Sequence, residues 1–186
     1  MIGRPISELK VGTRAEVSRL VTRRVVADFV EAVGDENPIH ADEEFAANTL
    51  FGKPIAPGIW TAGLLSGVMG TQLPGPGCLY MSQQLTFLKP VFFGDTITAR
   101  VEVVETMAEK NRVRLKTVAV NQDGEEVLTG EAWIKPPKTR VIYNEGMAAR
   151  VPPVAQPWFW GATALKAWSS MGRSILSKWS PATGHE

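Results

Sequence analysis

The sequence predicts an α+β protein in which an antiparallel sheet wraps around one long buried helix, with a helical extension at the C-terminus. Three observations carry this expectation. Ile59 to Leu73 is apolar, rich in small side chains and free of Asp and Glu. That composition fits a helix buried on all sides, with neighbours close to its backbone. After the turn PGPG (Pro74 to Gly77), the pattern changes to period two. Leu79–Leu88, Thr96–Met107, Val113–Asn121 and Val127–Lys135 then read as four long strands, with Gly94-Asp95 and Asp123-Gly124 as turn signals. Finally, the charge balance shifts along the chain. Residues 138–186 hold six Lys/Arg against two Glu, a net of +4, whereas residues 1–137 hold 14 basic and 17 acidic side chains, a net of −3.

Each element has a local reason. Arg14 to Thr22 alternates like a short strand. Thr22 then caps a helix in which Val25, Val26, Phe29, Val30 and Val33 recur at helical spacing, and Gly34 stops it. A short helix is expected from Glu43 to Asn48. FGKPIAPGIW is too rich in Pro and Gly to be regular, and it leads into the buried helix. The strand run ends near residue 136. Residues 137–157 are expected to be a Pro-rich linker, marked by Pro136, Pro137, Pro152, Pro153 and Pro157. Residues 158–180 hold four of the six tryptophans. There Leu165, Trp168, Met171 or Gly172, Ile175, Leu176 and Trp179 recur at steps of three and four, with Lys166, Arg173 and Lys178 between them. Two readings fit this amphipathic tail. It is either a peripheral contact with a membrane or a hydrophobic granule, or a helix docked on its own body or a partner subunit.

The totals bound the function classes. With 186 residues, 44% hydrophobic and 21% charged, the chain can bury a core without metal or disulfide staples. Cys78 is the one cysteine and has no disulfide partner. MIGRPISELK has no signal-peptide pattern, so a reducing, cytoplasmic setting is expected. No apolar run is long enough to span a bilayer. A net charge of +1 gives no electrostatic footprint for nucleic acid.

One loop concentrates polar chemistry. GDENPIHAD (Gly34 to Asp42) holds Asp35, Asn37 and His40, with Pro38 restricting itself and Asn37. A carboxylate and an imidazole on one water molecule can take a proton from it and return one elsewhere. The same residues also make an ordinary turn after a helix, with His40 on the surface. Two other routes have little support. One His and one Asp do not fill a zinc shell. Cys78 has no nearby His, and Ser66 lies in an apolar helix rather than a nucleophile elbow. On its position alone Ser66 reads as a small packing residue bonded to its own helix. Gly58, after Pro57 at the start of the buried helix, can present a free backbone N–H to a developing oxyanion, or be satisfied by a neighbouring loop.

Taken together, GDENPIHAD, FGKPIAPGIWTAGLLSGVMGTQLPGPGCLYMSQQLTFLKPVFFGDTI and NQDGEEVLTGEAWI resemble the MaoC-like hydratases, in particular the (R)-specific enoyl-CoA hydratases. The resemblance covers about residues 5–136. It implies the hot-dog fold. It also implies a reaction, the reversible syn hydration of a trans-2-enoyl-CoA to an (R)-3-hydroxyacyl-CoA, with an acyl-CoA thioester as substrate and neither cofactor nor metal. Asp35 and His40 take the water-activating positions, Asn37 the supporting position, and Gly58 the backbone donor to the thioester oxygen. Ser66 matches a serine bordering the catalytic pair. The family also implies a homodimer, and nothing carries over to residues 137–186.

Three other functions compete. Dehydration of a (3R)-hydroxyacyl group on acyl carrier protein would use the same loop. A thioesterase of this fold would need a carboxylate on the central helix, which has none. A non-catalytic acyl-binding or interaction module would have no need of a water-activating pair.

Overall fold

The computed structural model describes residues 1–144. The expected linker beyond residue 144 and the Trp-rich tail lie outside the described residues. The elements run β1 (Ile2–Gly3), β2 (Arg14–Leu20), α1 (Arg23–Val33), α2 (Glu43–Ala47), α3 (Gly58–Thr71), β3 (Leu79–Phe87), β4 (Thr96–Met107), β5 (Arg112–Val120), β6 (Glu126–Lys135) and β7 (Val141–Ile142). Five of the strands form one antiparallel sheet in the order β2-β4-β5-β6-β3.

The period-two pattern is explained by this sheet. Ile97, Ala99, Val101 and Val103 of β4, Val113, Leu115 and Ala119 of β5, and Leu128, Ala132 and Ile134 of β6 are buried. They form one core with Trp60, Leu65, Val68 and Met69 of α3. The alternate residues form the other face, where ion pairs run between neighbouring strands. Arg14 meets Glu102 at 2.9 Å, Arg100 meets Glu16 at 2.7 Å, and Arg114 meets Glu105 at 2.9 Å and Glu131 at 2.8 Å. A strand with one apolar and one charged face resists a one-residue slip, which would bury the charges. This is the hot-dog fold: one sheet packed on one long helix.

The local signals act as expected. The Thr22 side chain accepts from the Val25 N–H, and Gly34 ends α1 in the left-handed conformation at φ 69°. Val26 is buried and Phe29 and Val30 pack on the core, whereas Val25 and Val33 stay exposed.

One expectation is corrected. The central helix is not buried on all sides within one chain. The sheet covers only one face, burying Trp60, Thr61, Leu65, Val68 and Met69. The opposite face leaves Ile59, Gly63, Ser66, Gly67 and Gly70 exposed. Apolar composition gives the amount of surface to be covered, not the number of neighbours one chain supplies. Pairing also continues past residue 136. Ile2 and Gly3 pair with Ile142 and Val141, and the N-terminal ammonium donates to the Tyr143 carbonyl at 2.7 Å. The compact unit therefore runs Met1–Asn144, closed by a pairing too short to leave a periodic signal. Among the described residues, no helix is long and apolar enough to cross a membrane.

Candidate active site

The loop after α1 is built by backbone bonds before any side chain matters. Gly34 turns the chain, and the Asp35 N–H bonds back to Val30 O at 3.0 Å. Asp35 Oδ1 then accepts from the Asn37 N–H at 3.2 Å. The Asn37 side chain caps a single 3-10 turn, Pro38–His40, by accepting from the Ile39 N–H, and Pro38 fills its first position. Asn37 is thus a local brace, exposed and aimed at its own turn. Its backbone N–H holds Asp35, and its cap places His40.

The ring of His40 is 9% exposed. Its Nδ1 lies 2.8 Å from the Ile55 carbonyl oxygen. A carbonyl only accepts, so Nδ1 carries the proton and donates it. In the neutral ring, Nε2 is then left with a free lone pair. Nε2 lies 3.5 Å from Asp35 Oδ2. Two acceptors facing each other at this separation suit one molecule that donates to both, and water has two such hydrogens.

Ile55 also links this loop to the helix start. Its N–H donates to the Ile39 carbonyl at 3.2 Å, and the next residue, Ala56, bonds to Val91 O at 2.8 Å. Gly58 follows as the first residue of α3, where N–H groups have no intrahelical acceptor. It borders a largely apolar cavity of about 460 Å³, with Phe51, Ile55, Thr61, Phe87 and Val127 among the walls. A Cβ at position 58 would come within 2.8 Å of the Phe87 ring, so glycine is what allows the close approach. Lys89 stands in the same wall, paired with Glu125 at 2.6 Å. That hydrogen bond, helped by Asn121, holds the Glu125 carboxyl below its ordinary value.

The structure therefore brings Asp35 and His40 together and ties them, through Ile55, to the segment that opens at Gly58. His40 itself faces a smaller hollow of about 290 Å³ beneath α1, bordered by Val26, Val30 and Phe93. Ser66 is not brought to the pair within the chain. It lies on the exposed face of α3, two turns beyond Gly58. Cys78 donates its thiol to Met69 O at 3.4 Å, and burial pushes its pKa up, away from thiolate chemistry. Among the described residues, no group of three or more His, Cys, Asp or Glu side chains gathers as metal ligands do. Sequence reasoning missed Ile55, whose contribution is a backbone carbonyl and carries no signal in residue type. It also passed over Thr61, a polar residue in an apolar helix that could have been singled out as readily as Ser66.

The family model described as MaoC like domain matches residues 7–126. The chain belongs to this family. The MaoC-like domain is 47% identical over 131 residues to a 3-hydroxybutyryl-CoA dehydratase of Methylorubrum extorquens, covering 70% of this chain and 83% of that protein. It is 43% identical over 129 residues to the (R)-specific enoyl-CoA hydratase of Aeromonas caviae, covering 69% of this chain and 96% of that one. Among solved structures it is similar to the R-hydratase PhaJ1 of Pseudomonas aeruginosa in its unliganded form. There the TM-score is 0.73 at 38% identity, covering 83% of this chain and 97% of that chain.

Proposed function

We propose that this MaoC-like chain is an (R)-specific enoyl-CoA hydratase, adding water reversibly and on one face to a trans-2-enoyl-CoA to give an (R)-3-hydroxyacyl-CoA. The observation that carries this is the Asp35–His40 pair, with Nε2 left free by the Nδ1 bond to Ile55. The hydratase and dehydratase relatives support the substrate class. The Gly58 N–H polarises the thioester carbonyl, which makes Cβ electrophilic and draws charge toward the oxygen. Water held between Asp35 and His40 loses a proton to the pair as its oxygen bonds to Cβ. The enolate that results takes a proton from the pair at Cα, on the same face. One proton enters the pair and one leaves, so the pair ends as it began.

Asn37 supports the reaction by holding the loop. Ser66 belongs in this reading to the exposed face of α3, and edge strand β3 leaves Leu79, Tyr80, Met81 and Phe87 exposed. An unpaired strand edge with apolar side chains invites pairing with its twin, which favours a homodimer. The tail is proposed as either a membrane or granule contact or a docked helix, with full-length and truncated chains to be compared on anionic liposomes.

The test is a hydration assay on purified protein across enoyl chain lengths, with product chirality determined and CoA and acyl-carrier-protein thioesters run side by side. Turnover of CoA thioesters to (R)-product is expected. Turnover of the carrier-protein substrate alone would move the assignment to a dehydratase of that carrier. Binding of acyl-CoA without turnover would make the chain a non-catalytic module.

A further inference from the structure

The hydroxyl of Thr61 has no role in the scheme above, and the described residues give it no partner. Thr61 is 2% exposed. Among the described residues, its Oγ1 is the one buried side-chain nitrogen or oxygen without a hydrogen bond. Buried polar groups are paired as a rule. A helical threonine usually satisfies itself by bonding back to a carbonyl one turn earlier, and here it does not. Valine would fill the same volume and orphan nothing, so the packing does not call for an oxygen.

The place of this oxygen points to what it would bind. Thr61 and Gly58 border the same cavity. Among the described residues that line it, the one other polar side chain, Lys89, is bound to Glu125. Thr61 lies three residues after Gly58 on α3. Helical side chains lean toward the N-terminus and cover the preceding turn, which puts the Thr61 hydroxyl over the turn that Gly58 opens. An orphan O–H and a free N–H thus border one apolar space, next to the segment that holds His40.

We propose that Thr61 is a substrate-contacting residue of the reaction, its hydroxyl donating to the thioester carbonyl oxygen alongside the Gly58 N–H. The inference rests on the hydration reading above. It makes the site for the developing oxyanion a pair of donors, one from the backbone and one from a side chain. A donor that meets the oxygen only as charge builds is worth most in the transition state.

The experiment compares wild type with Thr61→Val, which keeps the shape, and Thr61→Ser, which keeps the hydroxyl. Melting temperature is measured on ligand-free protein, and kcat and KM on a short enoyl-CoA. Thr61→Val is expected to melt at or above the wild-type temperature, because an unpartnered hydroxyl is removed. Its kcat is expected to fall by on the order of 10²-fold, with KM little changed, and Thr61→Ser to recover most of that turnover. Wild-type kinetics in Thr61→Val would overturn the proposal. So would a loss confined to KM, or equal losses of stability and turnover in both variants. If wild type hydrates no enoyl-CoA at all, the hydration reading fails and takes this inference with it. If wild type is active and Thr61→Val equally so, the inference fails alone.

Discussion

At the scale of single residues, the site depends on how a few atoms are held. Asp35→Asn and His40→Ala are each expected to reduce hydration by on the order of 10²–10⁴, with circular dichroism showing an intact fold. His40→Ala also loses the bond to Ile55 O, so it should melt somewhat earlier than Asp35→Asn. A folded variant of either kind that kept most of its turnover would remove the pair from the mechanism. Ser66→Ala is expected to cost less than either, since Ser66 lies away from the pair within its own chain. A loss equal to that of His40→Ala, at unchanged stability, would give Ser66 a primary role. Gly58→Ala separates activity from stability in another way. The added methyl meets the far end of the Phe87 ring, which is 50% exposed and free to swing. Melting should change little. The displaced ring borders the cavity, however, so kcat/KM should fall measurably. An alanine variant with unaltered kcat/KM would show that the approach of Phe87 to Gly58 has no bearing on substrate.

At the scale of elements, the sheet is most sensitive where backbones crowd. Gly130 of β6 pairs across from Leu85 of β3, and a Cβ there would lie 2.0 Å from Gln84 O. Backbone cannot step aside as a ring can, so Gly130→Ala must push the edge strand outward. A cost of about 1–3 kcal/mol is expected from such overpacking, read as a lower urea midpoint. An unchanged midpoint would mean that β3 is not held where the register puts it. The charged face of the sheet makes a pH prediction. The Arg14 guanidinium, hydrogen-bonded to Glu102, holds that carboxyl below its usual value, and Lys116 adds to the effect. Between the folded and unfolded pKa values the unfolded chain binds more protons, so stability rises with pH there. Glu102 therefore contributes above the ordinary carboxylate range, and the contribution is lost as pH falls through the lower folded value. Glu102→Gln should flatten the acid limb of a melting-temperature profile and leave its neutral plateau nearly unmoved, because exposed pairs contribute little. A variant with the wild-type acid limb would contradict this.

At the scale of the whole molecule, the compact unit runs Met1–Asn144 and draws its two ends together. Truncation after Pro136 removes β7 and with it the pairing to Ile2 and Gly3, whereas truncation after Asn144 keeps both. The shorter form is expected to melt earlier than the longer one, and equal melting would show that the β1–β7 pair closes nothing of consequence. The longer form is accordingly the right comparison for any liposome or granule binding by the tail. By itself the sequence determined the parts of this protein that depend on near neighbours. The cap at Thr22, the stop at Gly34, the bounds of β4 and the brace of Asp35 by its own loop all follow from residues a few positions apart. Hydrophobic period and turn chemistry act over that range. The tertiary structure decided what no short stretch encodes. It chose the carbonyl that fixes the His40 tautomer, since every residue carries a carbonyl and only folding brings Ile55 beside position 40. It chose which face of α3 the sheet covers, and so left Ser66 in the open and buried Thr61 against the cavity, because apolar composition sets how much surface a helix must cover but not from which side.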